Sequence, residues 1–163
     1  MRAESEPGVG STFHLFLPAL PATAFLEDTE DGRLDQAPGG QESILLVEDE
    51  PAILKMVEMM LERLGYNVIP ASSPAEAIRL SGEVKEKIHV LMTDVIMPEM
   101  NGRDLARNIL TLYPDIQRLF MSGYTADVIA HHGVLDKGVH FIQKPFTMRE
   151  LAQKVRIALD RNA

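Results

Sequence analysis

Residues 43–163 predict an α/β fold, a doubly wound parallel sheet built from five βα units. Three observations carry that expectation. Short, nearly continuous apolar runs alternate with amphipathic helical stretches, as expected of strands covered by helices on both faces. Proline and glycine fall at helix starts and stops rather than inside them. Four of the apolar runs end in polar, chemically capable residues, and the carboxyl ends of parallel strands are where such folds place their chemistry.

The elements follow in order. Ile44–Val47 is the first strand and runs into Glu48-Asp49. A helix is predicted over 51–64, with Pro51 at its first position and Gly65 past its end. Its apolar residues Ile53, Met56, Val57, Met60, Leu61 and Leu64 recur with helical spacing. Tyr66–Pro70 is a short strand, and Ser73-Pro74 opens a helix to about Leu80. Ile88–Thr93 is the third strand, closed by Asp94. Leu105, Ile109 and Leu112 give a helix over 102–112 one apolar face. Gln117–Met121 is the fourth strand, leading into Ser122-Gly123. A short, weakly patterned helix is expected at 125–132, then a fifth strand at Val139–Ile142 leading through Gln143 to Lys144-Pro145. Thr147 and Glu150 form a capping box for a last helix over 148–161. Strand order 2-1-3-4-5, borrowed from the flavodoxin-like form of this fold, brings the ends of strands one and three together at the switch point.

Residues 1–42 differ in kind. They hold two bases, Arg2 and Arg33, against eight acids, a balance of −6, whereas residues 43–163 hold fourteen bases against sixteen acids, a balance of −2. Segment 22–42 is acidic and turn-rich and reads as a flexible linker. Segment 1–21 has one strand-like run, Thr12 to Leu17, and residues 1–42 are expected to be mostly disordered or docked opportunistically, since a lone strand buries no core.

Composition excludes several functions. With no cysteine, there is no disulfide, thiolate metal site or cysteine nucleophile, which suits a reducing, cytoplasmic location. No basic patch interrupts the net charge of −8, so nucleic-acid binding is not expected. No apolar run reaches the length a bilayer needs, and Glu4, Glu6, Pro18 and Pro21 spoil residues 13–20 as a signal peptide. No membrane contact is expected.

Adjacent strand ends would gather Glu48, Asp49, Asp94, Ser122 and Lys144 at one edge. Clustered carboxylates repel one another unless protonated or neutralised. Mg2+ answers that need, because it prefers oxygen ligands and keeps several waters. Asp94 then suits a phosphoryl-accepting carboxylate, Lys144 a mobile positive charge, and Ser122 a donor to a phosphoryl oxygen. Each residue has a plainer reading alone: an acidic helix cap for Glu48-Asp49-Glu50, a surface lysine, a Ser-Gly turn. Their repetition on four strand ends favours the site. His131-His132 do not share a helical face and read as a solvated pair, and the nine methionines as packing residues.

These motifs together resemble the receiver domain of bacterial two-component response regulators. The residues are Ile44-Leu45-Leu46-Val47-Glu48-Asp49-Glu50, Asp94-Val95-Ile96-Met97-Pro98-Glu99-Met100-Asn101-Gly102, Ser122-Gly123 and Lys144-Pro145-Phe146. The resemblance implies that Asp94 is phosphorylated by a phosphohistidine on a histidine-kinase dimerisation domain or a histidine phosphotransfer protein. It implies Mg2+ on Glu48, Asp49, Asp94 and the Ile96 backbone carbonyl, with Ser122 and Lys144 on the phosphoryl group. Ser122 would couple to Phe141, three residues before the lysine, as a switch. Output, or a homodimer, would use the face of helix four (125–132), strand five and the last helix. Two departures stand out: Glu48 where many members have aspartate, a substitution common in hybrid kinases, and apolar Ile96 two residues after the acceptor.

Residues 5–18, Ser-Glu-Pro-Gly-Val-Gly-Ser-Thr-Phe-His-Leu-Phe-Leu-Pro, resemble the end of a histidine-kinase ATP-binding domain. The expected organisation is therefore a kinase remnant at 1–21, a linker at 22–42 and a receiver at 43–163, cut from a hybrid sensor histidine kinase. The chain itself is expected to be no turnover enzyme. With no effector segment after Ala163, it is not expected to regulate genes directly. The alternatives are an aspartate-nucleophile phosphohydrolase, which usually has a second aspartate where Ile96 stands, and a receiver-like interaction module that is not phosphorylated.

Overall fold

The structure, a computed structural model, describes residues 2–8, 10–16, 38–123 and 140–160. The chain divides into two compact units, Met1–Asp35 and Gln36–Ala163. In the first, β1 (Arg2–Glu6) pairs antiparallel with β2 (Gly10–His14), from Arg2 opposite His14 to Glu6 opposite Gly10. The strand expected at Thr12–Leu17 is thus shifted to Gly10–His14, and it has a partner that sequence reading missed. Arg2–Glu6 carries no apolar alternation, and every residue of both strands is exposed. A two-stranded ribbon with no covered face is marginal by itself.

The second unit is a five-stranded parallel sheet. Its strands are β3 (Ser43–Val47), β4 (Asn67–Ala71), β5 (Val90–Asp94), β6 (Gln117–Ser122) and β7 (His140–Gln143), in the order β4-β3-β5-β6-β7. This is the predicted order 2-1-3-4-5. The helices are α1 (Pro51–Arg63), α2 (Pro74–Glu83), α3 (Gly102–Leu112) and α4 (Met148–Leu159). The helix expected at 125–132, His131-His132 and most of the expected linker (22–37) lie outside the described residues.

Two apolar layers sandwich the sheet. Ile44, Leu46, Met92 and Met121 face Val57 and Leu61 of α1 and Leu151 and Val155 of α4. Leu45, Val47, Leu91 and Phe120 face Ala77 of α2 and Leu105 and Ile109 of α3. Each fully buried leucine contributes about 2–3 kcal/mol. All of β3 is buried, whereas β4 is largely accessible, and that edge position lets it hold Pro70.

Local chemistry sets the helix starts. Ser73 and Asn101 accept hydrogen bonds from the backbone N–H of Glu76 and Asp104. Thr147 and Glu150 form the reciprocal capping box read from the sequence. Glu50 precedes α1 without a side-chain cap, so the acidic triplet is not explained as a helix cap.

Residues 40–42, expected to end the linker, are tied to the sheet unit. The Gly40 N–H donates to the Leu64 carbonyl (3.1 Å), and the Glu42 carbonyl accepts from the Asn67 N–H (3.1 Å). Arg156 of α4 donates to Glu42 at 2.8 Å.

Candidate functional site

Each candidate side chain follows or closes a strand, and the backbone there is still laddered. The Glu48 N–H donates to the Ala71 carbonyl, the Val95 N–H to Met121 (3.0 Å), and the Lys144 N–H to Ser122 (2.8 Å). Asp94 is itself the last residue of β5, one position later than expected. The Lys144–Pro145 peptide is cis.

Lys144 joins two strand ends through its ammonium. Its Nζ donates to Glu48 Oε2 at 2.5 Å and to Asp94 Oδ2 at 2.7 Å. The side chains of Lys144 and Asp94 are each only 15% exposed. Ligand oxygens of Glu48, Asp49 and Asp94 lie within 4.8 Å of one another. Asp49 is exposed, whereas Glu48 is buried at 1% exposure. The second Asp94 oxygen, Oδ1, accepts from the Ile96 N–H at 3.3 Å, while the Ile96 side chain stands out in solvent.

The electrostatics are unbalanced. Burial pushes the Glu48 carboxyl above its ordinary value, and the Lys144 hydrogen bond only partly offsets this. For Lys144, burial acts downward, but hydrogen bonds to Asp94 and Glu48 outweigh it and hold the ammonium above its ordinary value. Three carboxylates against one ammonium leave an excess of two negative charges when all are ionised. An all-oxygen cluster with that excess fits a hard divalent cation such as Mg2+.

Ser122 is buried at the end of β6, one position beyond Met121, the partner of Asp94. Phe141 is half-buried on β7 opposite Phe120. Glu48, Asp49, Asp94 and Lys144 therefore meet at one point, and Ser122 and Phe141 occupy the neighbouring strands at the same edge.

Two features of the site went unread in the sequence. Gly102 opens α3 so close to the Asp94 carbonyl that a β-carbon there would overlap it. The Gly102 N–H also donates to the Val95 carbonyl (3.0 Å). The Asn101-Gly102 pair was the available signal. Thr93, fully buried, donates its hydroxyl to the Asp94 carbonyl at 3.0 Å, and a threonine in a strand gives no such hint.

The profile of the response regulator receiver domain matches residues 44–156. The chain belongs to this family. It is 34% identical to the sensor kinase CckA of Brucella abortus over 97% of this chain, but spans only 17% of that kinase. It is 31% identical to the response regulator receiver protein CpdR of the same organism, covering 69% of this chain and 92% of CpdR. Among solved structures, the receiver domain of the hybrid histidine kinase CckA superposes with a TM-score of 0.62 at 31% identity, over 72% of this chain and 99% of that one. A receiver domain from Clostridium thermocellum gives 0.65 at 28% identity, over 74% and 96%. Receiver membership makes the chain a phosphoacceptor module of two-component phosphorelay signalling. Receiver domains work with histidine kinases or phosphotransfer proteins and bind Mg2+ at an acidic pocket of this kind. Among the described residues, no helix is long and apolar enough to cross a membrane.

Proposed function

We propose that Asp94 is the phosphoacceptor and that its donor is a phosphohistidine on a histidine-kinase dimerisation domain or a histidine phosphotransfer protein. The observation that carries this reading is the shared ammonium: Lys144 reaches Asp94 Oδ2 at 2.7 Å beside two further carboxylates. An Asp94 oxygen attacks phosphorus, the phosphorus–nitrogen bond to the donor imidazole breaks, and the electron pair stays on that nitrogen. Lys144 can swing from the carboxylate to the arriving phosphoryl oxygens. Ser122 supplies a hydroxyl to the same group, and Phe141 follows its movement. Glu48, Asp49, Asp94 and the Ile96 carbonyl would hold Mg2+, whose charge offsets that of the phosphoryl group.

The similarity to CckA, which takes in 97% of this chain, supports placing the chain within a hybrid sensor kinase, with residues 1–21 as the end of its ATP-binding domain. The β1–β2 hairpin then has a natural home as the last ribbon of a larger sheet. A homodimer through the face of β7, α4 and the helix expected at 125–132 is a further expectation, and part of that face lies outside the described residues.

Incubation with a small phosphodonor and Mg2+ should add one phosphoryl group by intact mass, and Asp94→Asn should abolish it. An unchanged wild-type mass, under conditions that label a control receiver, would overturn the assignment. Steady release of phosphate over many turnovers would favour the phosphohydrolase instead, against which Ile96 stands.

A further inference from the structure

We infer that Thr93 is a positioning residue for the acceptor, its hydroxyl fixing the peptide that carries Asp94 into the acceptor loop. The inference rests on the reading of Asp94 above. Thr93 is fully buried, and a buried hydroxyl is costly unless bonded. Its Oγ1 donates to the Asp94 carbonyl at 3.0 Å and lies 3.9 Å from Met97 Sδ, its other acceptor. Gly102, where the loop returns, passes so close that a β-carbon there would overlap the same carbonyl and crowd the Thr93 methyl at 3.1 Å. Thr93 therefore touches the loop at its start and its middle, close to where it returns.

The consequence for the site is geometric. The loop's first residues set where the Asp94 carboxylate points, because Oδ1 is held by the Ile96 N–H at 3.3 Å and Oδ2 by Lys144. Rotation of the Asp94–Val95 peptide would move the Ile96 N–H and carbonyl together. Without the hydroxyl, the Asp94 carbonyl loses a donor that water cannot easily replace in a buried position. The carboxylate would then sample several aims instead of one, weakening cation binding and slowing transfer together.

The test compares wild type, Thr93→Val and Thr93→Ser. Valine keeps the shape and removes the hydroxyl; serine keeps the hydroxyl and removes the methyl. Mg2+ affinity is measured by titration calorimetry without a phosphodonor, and phosphoryl incorporation from a small phosphodonor by intact mass. Loss of one buried hydrogen bond predicts about a fivefold weaker Mg2+ affinity and a similarly slower incorporation in Thr93→Val, with Thr93→Ser close to wild type. A Thr93→Ser defect as large as that of Thr93→Val would show that the hydroxyl does not by itself hold the acceptor peptide and would overturn the proposal. So would a Thr93→Val protein indistinguishable from wild type. Should Thr93→Val fail to fold, Thr93→Ala replaces it with the same expectations. If wild-type protein itself takes up no phosphoryl group, the acceptor reading fails. The Mg2+ affinities then still decide whether Thr93 positions the carboxylate.

Discussion

Two glutamates flank β3, and each meets a cation from a distant part of the chain. Glu42, before the strand, receives Arg156 at 2.8 Å; Glu48, after it, receives Lys144 at 2.5 Å. Their acidities move in opposite directions. For Glu42, burial acts upward, but the Arg156 hydrogen bond and charge, together with backbone hydrogen bonds at Glu42 and Gln41, outweigh it and hold the carboxyl below its ordinary value. For Glu48, burial dominates and the carboxyl is pushed up. The exposures explain the difference, with a Glu42 side chain 25% exposed against 2% for Glu48. The ion pair at the amino edge, made through one Glu42 oxygen, acts as a strap. An undersatisfied one at the carboxyl edge still requires positive charge, and that requirement is what makes it a site.

The largest effect should come from breaking the undersatisfied end. Lys144→Met leaves buried Glu48 and Asp94 facing each other without their ammonium. Removing one partner of a buried pair costs about 3 kcal/mol, and phosphoryl incorporation should be nearly lost. Because the lysine competes with the metal for the same oxygens, Mg2+ should raise the melting temperature more in this variant than in wild type. An equal or smaller rise would show that Lys144 does not stand in for a cation there.

Gly102→Ala comes next. Its β-carbon would overlap the Asp94 carbonyl, and forced overpacking costs about 1–3 kcal/mol. Thermal melts and Mg2+ titration should both worsen. Normal metal affinity in a destabilised protein would place the close approach outside the site's function.

A smaller effect is expected at the strap. Arg156→Met removes the partner of Glu42 and also of Asp160, which Arg156 reaches at 2.7 Å. With these groups partly exposed, the loss should be about 1 kcal/mol in denaturant unfolding, with phosphoryl incorporation unchanged. A lost phosphorylation rate would mean that the two ends of β3 are coupled.

The two ends also differ in how legible they were. Lys144 and Glu48 are 96 residues apart, yet their meeting was readable because both follow apolar runs, and parallel sheets gather such ends at one edge. Glu42 and Arg156 are 114 apart, and no comparable rule marks the residue before a strand as the partner of a helix. Segment 38–42 therefore looked like loose linker on composition alone. Thr93 was hidden for a related reason: its hydroxyl turns inward on its own strand end, where a β-branched residue is expected anyway. β1 escaped, and β2 was expected two residues too late, because an exposed ribbon needs no apolar alternation. The family resemblance supplied the switch pairing of Ser122 with Phe141, which the strand pattern alone would not have given.

The smallest expected effect is a pH dependence carried by Glu42. Its folded acidity lies below the ordinary glutamate value of 4.5, so the unfolded chain binds the proton more readily than the folded one. The stabilisation is therefore fully present above pH 4.5 and lost as pH falls through the lowered folded value. In Arg156→Met the hydrogen bond and charge that lower the carboxyl most are gone, and only backbone hydrogen bonds at Gln41 and Glu42 remain to lower it. Its stability gap from wild type should hold steady from neutral pH to about 5 and then close as the pH drops further. Urea unfolding midpoints of the two proteins, compared over that range, measure the gap directly. A gap that persists undiminished in acid would assign it to the packing of the Arg156 side chain rather than to its charge, and the strap would then be a steric contact.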